Sequence, residues 1–183
     1  VQYSDYRFNI GVTACHTEFS KALHRDLKPY NQFTFDGAAI STYGIDYSYL
    51  WKNVSLFGET GLSENGGMAT INGALLALDR NVSVSVVNRH YQKDYIALQS
   101  NALGENSLNA NENGTYIALS LRPANTISIN TYFDQFNFPW LRYLVNAPSN
   151  GYEVLSQVGY TPSKAFETYF RYRERNKPKN ESG

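Results

Sequence analysis

The feature that most constrains this chain is a two-residue alternation, clearest between Gly114 and Asp134. In Thr115–Leu121, Ile117, Leu119 and Leu121 fall on one face; after Arg122-Pro123-Ala124-Asn125, Ile127, Ile129 and Phe133 resume it. Ser128, Asn130, Tyr132 and Asp134 take the other face. Successive side chains on a strand point to opposite faces, so this segment predicts a hairpin that is apolar on one side and polar on the other. The same pattern recurs along the chain. Phe8, Ile10, Val12 and Ala14 oppose Arg7, Asn9, Gly11 and Thr13 in a strand from Tyr6 to about Glu18. Tyr43, Ile45, Tyr47 and Tyr49 oppose Asp46 and Ser48 in one from about Phe35 to Leu50. Further strands are expected at Val54–Leu62, Met68–Leu78, from Val82, at Tyr152–Tyr160 and from Phe166 to about Arg173. The total is about nine.

The connections alternate in length. Trp51–Asn53, Asp79–Asn81, Arg122–Asn125 and Thr161–Lys164 are short; Ser20–Thr34, Gln92–Asn113 and Gln135–Asn150 are long, with Ser63–Gly67 the exception. In an up-and-down meander alternate connections lie at the same end. One end therefore carries tight turns and the other long loops, the asymmetry of outer-membrane barrels. The expected fold is all-β: an antiparallel, up-and-down transmembrane β-barrel. Residues 1–175 supply its strands and 176–183 form a polar tail.

Alternation alone does not say which face looks outward; a soluble barrel or sandwich binding a small ligand or a protein partner has the same pattern with its apolar face inside. Two features favour lipid outside. Mixed charges recur on the polar face, and Tyr and Trp gather near strand ends (Tyr49 with Trp51, Trp140 with Tyr143, Tyr152 and Tyr160), as interfacial belts do. The candidate lumen-lining residues are Arg7, Asp46, Glu59, Arg89, Asn130, Asp134, Glu153, Glu167, Arg171 and Arg173. Those arginines either tune solute passage or pair with Glu153 and Glu167 to fill the interior. An odd strand count leaves two open edges, so the expectation is a segment of a larger barrel.

Composition fits without deciding. Charged residues make up 17% and aromatics 15%, and the formal net charge is +0, so no basic field points to nucleic acid. No run of about twenty apolar residues reads as a membrane helix.

Candidate chemistry is sparse. Cys15 and His16 are neighbours and so point to opposite faces of a strand, which prevents a thiolate–imidazole pair. The lone Cys15 reads as a small buried hydrophobe. Glu64-Asn65, Glu105-Asn106 and Glu112-Asn113 offer calcium-like oxygens but read first as solvated turns. No cofactor, metal site or catalytic residue is expected. Phe138-Pro139-Trp140-Leu141-Arg142, with Tyr143, reads either as a plug packed on a strand end or as a contact surface for a partner or headgroups.

Several motifs together resemble one family. They are Phe57-Gly58-Glu59, Asn65-Gly66-Gly67, the stretches Arg89–Tyr95 and Ser100–Ser107, Phe138–Tyr143 and Ala147–Glu153. They resemble the barrel region of large Bacteroidota-type outer-membrane proteins often labelled helix-hairpin-helix or ComEA-like, over about Phe33 to Lys177. The resemblance implies a non-enzymatic barrel in a bacterial outer membrane, a channel or the membrane part of a larger transport, uptake or secretion assembly. Its partners are outer-membrane lipid and other outer-membrane or periplasmic proteins. No helix-hairpin-helix sequence occurs here, so DNA binding does not carry over to any residue.

Overall fold

The computed structural model describes residues 1–179. All of its regular structure is one antiparallel sheet of ten strands in sequence order. They are β1 (Gln2–Ser4), β2 (Phe8–Leu23), β3 (Gly37–Trp51), β4 (Val54–Ser63), β5 (Met68–Asp79), β6 (Val82–Tyr91), β7 (Glu112–Ala124), β8 (Ile127–Phe138), β9 (Ser149–Ser163) and β10 (Phe166–Asn176). Each pairs only with its chain neighbours, and β1 and β10 do not pair with each other. The up-and-down, all-β architecture is as expected. Among the described residues the sheet is open, and its closure into a barrel is not shown.

Ten strands replace the expected nine because Gln2–Ser4 pairs with Asn9–Gly11, a contact too short to leave a pattern. Arg7 falls in the turn before β2 rather than on a strand face, and its carbonyl accepts from Leu50 N. Arg122-Pro123 does not end β7: the strand continues to Ala124 across a register shift between Leu121 and Ala124, and the turn is Asn125-Thr126. That turn and the ones at 52–53, 80–81 and 164–165 are all two residues long. Lys52 takes a left-handed φ of 53°, the backbone geometry such hairpin turns demand. At the other end the connections span residues 24–36, 64–67, 92–111 and 139–148. Asn176 closes β10, so the strand outlasts the expected boundary at 175, and Lys177 is engaged in an ion pair rather than frayed. The remainder of the expected tail, 180–183, lies outside the described residues.

The register fixes the faces. Arg89 pairs with Ile71 and Gly114, Gly114 with Phe136, Tyr116 with Asp134, and Asp134 with Glu153. Glu153 in turn pairs with Arg175. Directly paired residues share a face, so these side chains line one polar surface that also carries Asp46 and Glu59, themselves a registered pair. The opposite surface carries Val12, Ile45, Leu56, Val86, Ile117, Phe133, Val158 and Phe170, all exposed. The usual order is inverted. Arg89 and Glu112 are 0% exposed, whereas Ile117 is 46% and Phe133 43% exposed.

The buried volume sits on the polar face at the long-loop end. Phe136, Phe138, Tyr91, Ala69 and Ile40 lie there beneath the loops. On the apolar face of β6–β8, Asn88, His90, Asn113, Gln135 and Asn137 follow the last apolar positions toward the loop end. On β6–β8 the apolar surface is therefore a band that begins at the tight turns and stops short of the loops, whereas on β3–β5 it continues through Tyr43, Leu62 and Met68.

Candidate functional site

The polar face of β6–β10 holds two ionic clusters, joined by backbone hydrogen bonds from the 92–111 loop to Glu112. Arg89 on β6 donates from Nε to Glu112 Oε1 on β7 at 2.6 Å. It also donates from Nη1 and Nη2 to the two oxygens of Asp134 on β8, at 2.8 and 3.1 Å. This bidentate fork needs a flat corridor, and Gly114 provides it: a Cβ there would overlap the guanidinium. On β9, Glu153 accepts from Arg173 Nη2 at 2.9 Å and Nε at 3.1 Å, and pairs with Arg175 at 3.2 Å. Tyr132 also donates to Glu153. Arg175 near the end of β10 and Lys177 just beyond it reach Glu105 in the 92–111 loop.

That loop folds over the polar face. Glu112 accepts the backbone N–H groups of Glu105 and Asn106 at 2.9 Å while holding Arg89, so one buried carboxylate ties β6, β7 and the loop together. Asn109 folds the loop on itself, accepting from Ala102 N at 3.0 Å and donating to Ala102 O at 3.1 Å. Tyr91 Oη donates to Leu103 O at 2.7 Å, and Ile96 N donates to Ser63 Oγ at 3.2 Å. Gln99 reaches Cys15 on β2, and Glu105 reaches Arg175 on β10. Gln99 and Glu105, six positions apart in the chain, therefore contact two strands that lie eight positions apart in the sheet. At about 4.8 Å per strand a flat sheet would place β2 and β10 about 38 Å apart. The loop, turned on itself between these points, bridges them because the sheet curls toward its polar face.

The other long loops join it. Asn111 and Trp140 exchange hydrogen bonds, Trp140 N to Asn111 Oδ1 at 2.7 Å and Asn111 Nδ2 to Trp140 O at 3.0 Å. Trp140 Nε1 donates to Pro29 O at 2.9 Å. Edge-on ring pairs link Phe33 to Trp140 and Tyr30 to Tyr143, at centroid distances of 5.5 and 5.6 Å. Phe138 is fully buried, with the Arg142 guanidinium 3.7 Å over its ring. Burial pushes the Arg142 guanidinium below its ordinary pKa, against the opposing pull of Glu105 and Glu112. Burial would raise the Glu105 carboxyl, but hydrogen bonds from Lys177 and Arg175 outweigh it and hold it below the usual range.

Of the residues expected to line the polar face, Asp46, Glu59, Arg89, Asn130, Asp134, Glu153, Arg171 and Arg173 share it by register. Arg7 lies in a turn, and Glu167 lies at the irregularity between Phe166 and Thr168, exposed. The expected pairing of arginines with Glu153 and Glu167 holds only for Arg173. Arg89 uses Glu112 and Asp134, and Arg171 donates to Gln157 at 2.7 Å. Cys15 is half-buried on the polar face beside Thr17 and Gln99, not a packed hydrophobe, while His16 faces the other way and meets Ser41. The three acidic-amide pairs are engaged elsewhere: Glu64 accepts from Ser41 N, Glu105 pairs with cations and Glu112 holds Arg89. Among the described residues no group of three metal-ligating side chains converges. Trp140 and Phe138 pack within the loops, as the plug reading expects, but Tyr143 and Leu144 stay exposed at the tip.

No family model, curated protein or solved structure matches this chain.

Proposed function

We propose that this chain forms the wall of an outer-membrane-type β-barrel. Lipid lies against the apolar face, and the polar face encloses an interior partly filled by the 92–111 loop. The reading makes it a non-enzymatic component of a bacterial outer membrane, a channel or the membrane part of a larger transport assembly. The observation that carries it is the inverted polarity: Arg89, Glu112 and Asp134 are buried on one face while Ile117, Phe133 and Val158 are exposed on the other. In water, such an apolar band would be an exposed patch far larger than a soluble monomer keeps, since each apolar side chain left in water forfeits about 1.5–3 kcal/mol. Against hydrocarbon the same band is satisfied. Tyr49, Trp51 and Tyr160 stand exposed near the tight turns, where an aromatic girdle belongs. The unpaired edges of β1 and β10 need either each other or further strands, because lipid offers backbone groups no hydrogen bonds.

The two tryptophans test this. Trp51 is exposed at the tight-turn end, and Trp140 is held among the loops. Trp140→Phe leaves Trp51 as the sole indole, and Trp51→Phe leaves Trp140. In vesicles containing brominated lipids, Trp51 fluorescence is expected to be quenched and Trp140 fluorescence to be unaffected. A protein monomeric in plain buffer, with neither indole quenched, would return the chain to the soluble ligand-binding reading.

A further inference from the structure

The three long loops enclose a cleft of about 390 Å³ at the mouth of the polar face, and its charge balance differs from the rest of that face. Arg25, Lys93 and Arg142 line it, and no Asp or Glu does. Elsewhere on this face Arg89, Arg173, Arg175 and Lys177 pair with carboxylates, and Arg171 donates to the Gln157 amide. Arg25, Lys93 and Arg142 form no ion pair among the described residues. The acids whose charge acts on Arg142, Glu105 and Glu112, are already held by Arg175, Lys177 and Arg89. The Nε of Arg142 is buried and has no acceptor among the described residues. Lys93 places its ammonium 4.4 Å from the Trp140 ring centroid and 4.6 Å from that of Phe33. Its charge is thereby fixed over aromatic faces without being neutralised.

The walls are aromatic and polar at once. The Tyr30–Tyr143 pair stands on one side, with Tyr143 exposed, and Trp140 stands on another. The volume lies in the range of small-molecule sites, well beyond what one inorganic anion fills. Exposed ring faces suit the C–H face of a sugar, and three cations without an ion pair suit negative charge. We infer that this cleft binds an acidic saccharide, with its carboxylate or sulfate group toward Lys93 and Arg142 and a ring face toward Tyr143. The inference is independent of what covers the apolar band, because the cleft lies among the loops.

Trp140 reports on the cleft directly in the Trp51→Phe protein. Its fluorescence is titrated with trigalacturonate, with a neutral galactose trisaccharide, and with inorganic sulfate. Trigalacturonate is expected to bind at least about tenfold more tightly than the neutral trisaccharide, the worth of one charge-assisted hydrogen bond. Lys93→Gln and Arg142→Gln are each expected to weaken it by about tenfold, and added salt to weaken it further. Arg142 stacks on buried Phe138, so its variant is compared at equal folded fraction by circular dichroism; Lys93 is exposed and its variant carries the test if the other misfolds. Equal affinity for the acidic and neutral sugars, no binding of trigalacturonate, variants that bind like the parent, or sulfate competing as well as trigalacturonate would each overturn the inference.

Discussion

The two halves of the polar face handle charge in opposite ways. On β6–β10 the buried carboxylates are each matched by a guanidinium: Glu112 and Asp134 by Arg89, itself buried, and Glu153 by Arg173 and Arg175, which stay exposed on β10. On β2–β5, Asp46 and Glu59 are registered opposite each other and neither has a cation partner among the described residues. Asp46 is half-buried and Glu59 exposed, with small residues such as Gly11, Gly44 and Gly61 around them. A like-charged pair is tolerable where water reaches it; a buried charge is tolerable only when paired. The difference lies in how charge is met: on β6–β10 it is neutralised in place, whereas on β2–β5 two like charges stand together with Glu59 open to water.

The largest effect falls on β6–β10. Arg89→Met leaves Glu112 and Asp134 buried without their cation, and the expected loss is about 3–5 kcal/mol of folding free energy. Denaturant unfolding followed by circular dichroism measures it. A loss below about 1 kcal/mol would mean that water already reaches the network and that the halves do not differ as described. Next comes Ile117→Lys, on the opposite face of β7 from Glu112 and Tyr116. If hydrocarbon covers Ile117, the expected cost is about 2–4 kcal/mol in lipid vesicles. If water covers it, a surface change of this kind stays within about 0.5 kcal/mol. Refolding into vesicles across a urea series separates the two.

Much of this arrangement was legible in the residues and some of it was not. The strands were, because a period of two survives in Val82–Val86 and in Ile127–Phe133 whatever lies against them. The end carrying the long loops was legible too, from turn spacing alone. β2 runs on to Leu23 past the expected stop at Glu18, because the strand outlasts its apolar pattern. The network was half visible. Arg89, Asp134 and Glu153 stood out as charges in alternating strands, but Glu112 read as a loop residue because β7 was expected to start at Gly114. Which acid meets Arg89 depends on register between strands joined by twenty residues, and no local pattern encodes that. The inward fold of the 92–111 loop was hidden for the same reason: its Asn-rich composition is that of a solvated loop, and its anchor, Glu105 to Arg175 and Lys177, spans seventy residues.

A smaller effect tests that anchor. The Glu105 pKa in the folded protein lies below its ordinary 4.5. Its contribution is therefore fully present above 4.5 and is lost as the pH falls through the lower folded value. Partly solvated pairs such as those with Arg175 are worth up to about 1 kcal/mol. Amide exchange in residues 92–111 is expected to be constant from neutral pH down to about 4.5 once corrected for intrinsic rates, and to accelerate below it. Glu105→Gln should abolish the step and give faster exchange at neutral pH as well. A step that survives Glu105→Gln would assign it to another carboxylate.

The smallest expected effect is the most discriminating. Asp46→Asn removes one of two like charges that face each other on β3 and β4, so it should leave stability unchanged or raise it by about 0.2–1 kcal/mol. The matched substitution Asp134→Asn should instead weaken the fork that holds Arg89, at a cost of about 1–3 kcal/mol. Both changes convert an aspartate to its amide on the same face of one sheet, so propensity and size cancel and only the partner differs. Opposite signs in denaturant midpoint would show that the two halves meet charge differently. Equal losses would mean that Asp46 has a cation partner of its own when the sheet's edges are satisfied, and that charge is neutralised in place on both halves.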